Sequence, residues 1–284
     1  MKKVLFTRKT QYQHWVGDGF PVRTLFSYDD IADQISPFLL LDYAGPHTFA
    51  PTDQKRGVGQ HPHRGFETVT IVYAGGVEHR DSAGAGGTIG PGDVQWMTAA
   101  SGLLHEEFHS RSFAQKGGPF EMVQLWVNLS AKNKSQAPRY QTLLNRDIPT
   151  VALAGGAKVR LIAGSLQDRV GPAQTFSPIN LWDMRLRAGE RAAFAPPHGH
   201  TAVLFVLSGA ITLDQIPLGA AELVVLDPHG EGIEFTARED SKILFLGGEP
   251  LGEPIVGRGP FVMNTPEEIA QAFADFKAGR MGKL

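Results

Sequence analysis

Apolar runs in this chain are short, and glycine or proline stops them again and again. Glu67-Thr68-Val69-Thr70-Ile71-Val72-Tyr73 ends at Ala74-Gly75-Gly76, and the run from Val94 to Ala99 begins directly after Pro91-Gly92-Asp93. Runs of this length, rich in β-branched residues, suit strands better than helices, which need longer periodic stretches. With 33 Gly and 19 Pro to reverse the chain, the pattern predicts an all-β fold of the sandwich or barrel kind.

Residues 67–73, 77–81, 94–99 and 120–129 read as strands, and residues 4–60 as irregular strands leading into them. The Gly/Ala stretch 82–87 lacks the helix and the Lys-Ser/Thr of a phosphate-binding loop, so it reads as a turn. The polar segment 130–139 precedes a second series of strand candidates at 151–164, 180–187, 202–207, 210–216, 222–226, 232–235 and 242–246. At 284 residues the chain exceeds the usual size of one domain. The expected division is a first domain over residues 1–132, a linker over 133–142 and a second domain over 143–284. The second ends in a helix: Thr265-Pro266-Glu267-Glu268 combines an N-cap Thr, Pro at the first helical position and Glu at N3, and Ile269, Phe273 and Phe276 follow on one face.

Composition removes several functions. The 27 basic and 29 acidic residues leave a formal charge of -2, so nothing draws the whole chain to nucleic acid or an anionic membrane. Cysteine is absent, which excludes disulfides, thiolate metal sites and cysteine nucleophiles. No apolar stretch reaches the length of a membrane helix, and the apolar run after Lys2-Lys3 is too short for a secretion signal. The expected setting is the cytoplasm.

Residues 61–107 carry the chemistry. His61-Pro62-His63 opens the stretch and His105-Glu106-Glu107 closes it. Residues at i and i+2 of a strand share a face, so His61 pairs with His63 and His105 with Glu107. Three imidazoles and a carboxylate suit iron, manganese, cobalt, nickel, copper or zinc, with coordination positions left open for a bidentate substrate or dioxygen. Of the other histidines, His109 is expected at a solvent-facing rim and His79 as a hydrogen-bonded barrel residue. His198, His200 and His229 resemble a remnant of the first motif without its acid, since Leu204 stands where a carboxylate is wanted.

Residues 61–70, 91–99, 102–107, 124–129 and 259–265 together closely resemble the pirin family of the cupin superfamily, and the match runs nearly end to end. The resemblance implies two cupin barrels, with one divalent metal ion, typically iron(II), in the first. It implies that His61, His63, His105 and Glu107 hold the ion; the second barrel, where Leu204 replaces the acid and no His-x-Glu follows, is expected to hold none. In the general cupin pattern Glu67 would compete with Glu107 for the fourth position. Glu107 is favoured, which leaves Glu67 as a ligand alternative or as a residue orienting a histidine.

The implied activity is that of a quercetin 2,3-dioxygenase, opening a flavonol with dioxygen and releasing carbon monoxide. Glu107 would take the substrate proton, and Phe66, Trp96, Met97 and Trp126 would form apolar walls. The alternative is a protein whose metal, through iron redox state, gates binding to a transcription factor or metabolic enzyme. A monomer is expected in either case.

Overall fold

The computed structural model describes all 284 residues, which fall into two compact units. Each contains a seven-stranded and a four-stranded sheet built from antiparallel pairs. The all-β, two-barrel reading therefore stands.

The first barrel comprises Tyr12–Asp33, Phe38–Asn145 and Leu251–Leu284. Its large sheet runs in the order Arg139–Leu143, Val94–Thr98, Phe66–Ala74, Gly118–Asn128, Phe38–Phe49, Phe20–Phe26, His14–Val16. Its small sheet runs Gly57–His63, Leu103–His109, Val77–Asp81, Gly86–Ile89. Alternation sorts the large sheet into two faces. Thr68 and Thr70 lie in register with Met97 and Gln95 and with Trp126 and Gln124, all on one face. Glu67, Val69 and Ile71 lie in register with Thr98, Trp96 and Val94 on the other. Phe20, Val22, Val72, Val77, Ile89 and Phe120 join the two sheets in one apolar cluster.

His109 belongs to that cluster, against the expectation of a rim position. It is only 3% exposed, with ring centroids 4.5 to 5.8 Å from Phe49, Phe120, Phe113 and Phe20. Its Nε2 donates to Gly19 O at 2.8 Å, which satisfies a buried polar atom. Burial pulls its pKa down, leaving a neutral ring.

The second barrel comprises Met1–Gln11, Gln34–Pro37 and Arg146–Pro250. The Val4–Lys9 strand forms one edge of its large sheet, paired with Glu222–Leu226. Hydrocarbon fills its interior, with Trp182, Phe194 and Phe245 packed ring against ring and Leu204 fully buried.

The division differs from the expected boundaries in four places, one of them Gln34–Pro37, which belongs with the second barrel. Residues 1–11 belong with the second barrel and residues 251–284 with the first. The expected linker is also part of the first barrel: Arg139–Leu143 extends its large sheet beside Val94–Thr98, and Lys134 is 3% exposed. An edge strand needs few apolar residues, so its composition looks like that of a connector.

The helix Pro266–Lys277 begins as expected. Thr265 Oγ1 accepts from Glu268 N at 3.2 Å, and Glu268 Oε2 accepts from Thr265 N at 3.1 Å. Ile269 and Ala272 carry its buried face, while Phe276 stays 39% exposed.

Candidate metal centre

The two ligand strands, Gly57–His63 and Leu103–His109, are antiparallel neighbours, and their register puts His61 opposite His105 and His63 opposite Leu103. The register slips between His105 and Glu107, a bulge of the kind that redirects side chains beside functional sites. Ring centroids of His61, His63 and His105 stand 4.2 to 4.8 Å apart. Their ligand atoms lie within 4.8 Å of one another.

Hydrogen bonds set the tautomer of each ring. His61 Nδ1 lies 2.8 Å from Gly59 O and His63 Nδ1 3.3 Å from Pro260 O. A carbonyl only accepts, so both Nδ1 atoms carry the proton and each Nε2 offers its lone pair. His105 is aimed by a relay. His79 Nε2 donates to Asp81 Oδ2 at 3.4 Å, which leaves His79 Nδ1 as the acceptor for His105 Nδ1–H at 3.3 Å.

His105 Nε2 is then left buried without a hydrogen-bond partner. Burial, followed by the neighbouring imidazoles, holds the pKa of His63 and His105 well below the ordinary histidine value. Neutral rings with free nitrogens, one of them otherwise unsatisfied, are the donor set a divalent metal takes, so the residues fit the expected ion.

Glu107 is 3% exposed and held by three donors. Its Oε1 accepts from Gln95 Nε2 at 3.1 Å and Thr70 Oγ1 at 3.3 Å, and its Oε2 from Gln124 Nε2 at 2.9 Å. It groups within 4.8 Å with His105 and His79, whereas the three-histidine group forms without it. Both nitrogens of His79 are already engaged, so this second group reads as support for the first.

Glu67 is not part of the cluster. It sits on the sheet face opposite Thr70 and Gln95, accepts from Thr98 Oγ1 at 2.6 Å, and lies 3.9 Å from Arg139. It therefore serves neither as an alternative ligand nor to orient a histidine. The same alternation removes Trp96 from the expected walls, since Trp96 is in register with Val69 on that outer face. Phe66 and Trp126 do flank the site, stacked at 4.2 Å and standing 5.1 and 5.2 Å from His63. Met97 packs with Ala99 and Leu103.

His79 is the hydrogen-bonded barrel residue that was expected, but its contact with His105 and several supporting residues escaped sequence reasoning. Asp81 is one of them, although His79-x-Asp81 has the same i, i+2 spacing as the ligand pairs. Gln95 and Gln124 stand out as amides inside otherwise apolar strands. Nothing local marks Pro260, or Tyr140, whose ring stacks on His79 at 5.1 Å.

Comparisons with known proteins agree with this geometry. The family model described as pirin matches residues 19–127, and the pirin C-terminal cupin domain matches residues 181–282. A Pseudomonas aeruginosa protein provisionally named a quercetin 2,3-dioxygenase is 57% identical over 99% of this chain and 98% of its own length. Mouse pirin is 36% identical over 94% of this chain and 89% of its own. The crystal structure of a quercetin 2,3-dioxygenase from Acinetobacter baumannii superposes with a TM-score of 0.97 at 52% identity, covering 100% of this chain and 99% of that one.

Proposed function

The chain belongs to the pirin family, and on that premise we propose that it is a metal-dependent dioxygenase of the quercetin 2,3-dioxygenase type. It would open the central ring of a flavonol with dioxygen and release carbon monoxide. The observation that carries the reading is the buried, unpartnered Nε2 of His105 beside His61 and His63. The names of the similar bacterial proteins supply the substrate class.

In this reading His61, His63 and His105 hold the ion and Glu107 completes the set, with iron(II) as the proposed metal and nickel, manganese, cobalt, copper and zinc compatible with the same donors. Held by these residues, the ion would supply Lewis acidity toward the flavonol hydroxyl. Gln95, Gln124 and Thr70 fix the Glu107 carboxylate, which accepts the hydroxyl proton. Phe66 and Trp126 offer flat apolar surface next to His63 for the aromatic rings.

The test is oxygen uptake by protein loaded with each of these metals. Quercetin-dependent oxygen consumption with carbon monoxide release is expected, and a His61→Ala, His63→Ala variant should show neither. No quercetin-dependent uptake with any of the metals sinks the proposal.

A further inference from the structure

We propose that residues 251–284 are a positioning part of the metal centre, and that Pro260, carried by this segment, aims His63. The inference rests on the reading that the three histidines hold a metal ion. In sequence the segment follows the whole second barrel, yet it belongs to the first compact unit. Phe261 forms a parallel bridge with Arg64, the residue after His63. Arg64 N donates to Pro260 O at 3.4 Å, and Val262 N donates to Arg64 O at 3.1 Å. This short pairing sets Pro260 O where His63 Nδ1–H finds it, 3.3 Å away.

Three contacts lock the segment down. The buried Nζ of Lys134 donates to Gly65 O at 2.7 Å, Val262 O at 2.9 Å and Asn128 Oδ1 at 2.6 Å, tying the turn after His63 to the segment. Asp275 on the helix Pro266–Lys277 forms an ion pair with Arg64. Ser82 Oγ donates to Met281 O at 2.6 Å and accepts from Leu104 N at 2.9 Å, next to His105. Leu104 also packs with Phe261, Met263, Ile269, Ala272 and Met281. The segment therefore grips both ligand strands, each within a residue of a histidine.

An imidazole presents Nε2 to a metal reliably only while its Nδ1–H has an acceptor in place. If the segment loosens, His63 loses that acceptor and the site loses affinity. Linkage makes the coupling reciprocal, so metal binding must tighten the segment.

The experiment uses the full chain, with cobalt(II) as the probe. Hydrogen exchange of wild type with and without cobalt(II) is read over residues 258–284. Cobalt(II) affinity is measured by chelator competition for wild type, Lys134→Met and Asp275→Asn. Cobalt(II) should slow exchange across the segment, and each variant should bind it about 10-fold more weakly with an altered visible spectrum. The proposal is overturned if bound cobalt(II) leaves that exchange unchanged. It is also overturned if variants with faster exchange there bind with wild-type affinity and spectrum. The wild-type comparison decides alone if a variant does not fold. Failure of wild type to bind cobalt(II) at all brings down the metal reading itself, an outcome distinct from metal binding that ignores the segment.

Discussion

His79 donates to Asp81 and receives from His105, so a residue that does not belong to the ligand set decides which nitrogen of His105 faces the centre. Replacing it by Phe keeps the ring stacked on Tyr140 but removes the acceptor. We expect His79→Phe to lower metal affinity about 10- to 100-fold, measured by chelator competition, and wild-type affinity in that variant would dismiss the relay. Glu67 offers a second test, on stability. Burial raises its pKa from 4.5 to about 7 against the Thr98 hydrogen bond. Between these values the folded state keeps a proton that the unfolded state has released, so the contribution of Glu67 is lost as pH rises through the window and stays lost above it. Glu67→Gln removes the titration, so it should gain on wild type from pH 5 to pH 8 by up to about 3 kcal/mol at 1.36 kcal/mol per pKa unit. Melting curves of the metal-free proteins at both pH values check the sign.

At the scale of elements, local signals translated well where the cause was local. The capping box placed the start of the helix Pro266–Lys277, because Thr265 and Glu268 satisfy each other's backbone within one turn. The strands at 67–73, 94–99 and 120–129 appear as Phe66–Ala74, Val94–Thr98 and Gly118–Asn128. Where partners were distant, reading failed. The polar Arg139–Leu143 is a strand only because Val94–Thr98 offers it an edge. Gly65 shows the same dependence: its φ is +92°, and an added Cβ would stand 1.9 Å from Val262 O. Gly65→Ala should therefore push residues 260–263 away and cost at least ~2 kcal/mol in denaturant unfolding, since strained backbone and steric clash add. Unchanged unfolding would show that the contact between these segments yields freely.

For the whole molecule, chain order and barrel membership do not coincide. Val4–Lys9 completes the sheet of the second barrel, and Lys2 Nζ donates to Pro228 O at 2.6 Å in the same unit. Deleting residues 1–11 should uncover Glu222–Leu226 as an open edge, speeding its amide exchange and promoting aggregation. Unaltered exchange at 222–226 would deny the strand that protective role. The sequence by itself determined the strand-rich class, the helix start and the ligand types at i, i+2 spacing, because these depend on neighbours a few residues away. Only the tertiary structure decided that Glu67 and Trp96 face away from the histidines, because a side chain's face matters only once strand register is set. It alone brought Pro260 to His63 across 197 residues. Such contacts arise from pairing and packing over long loops, which no local pattern encodes.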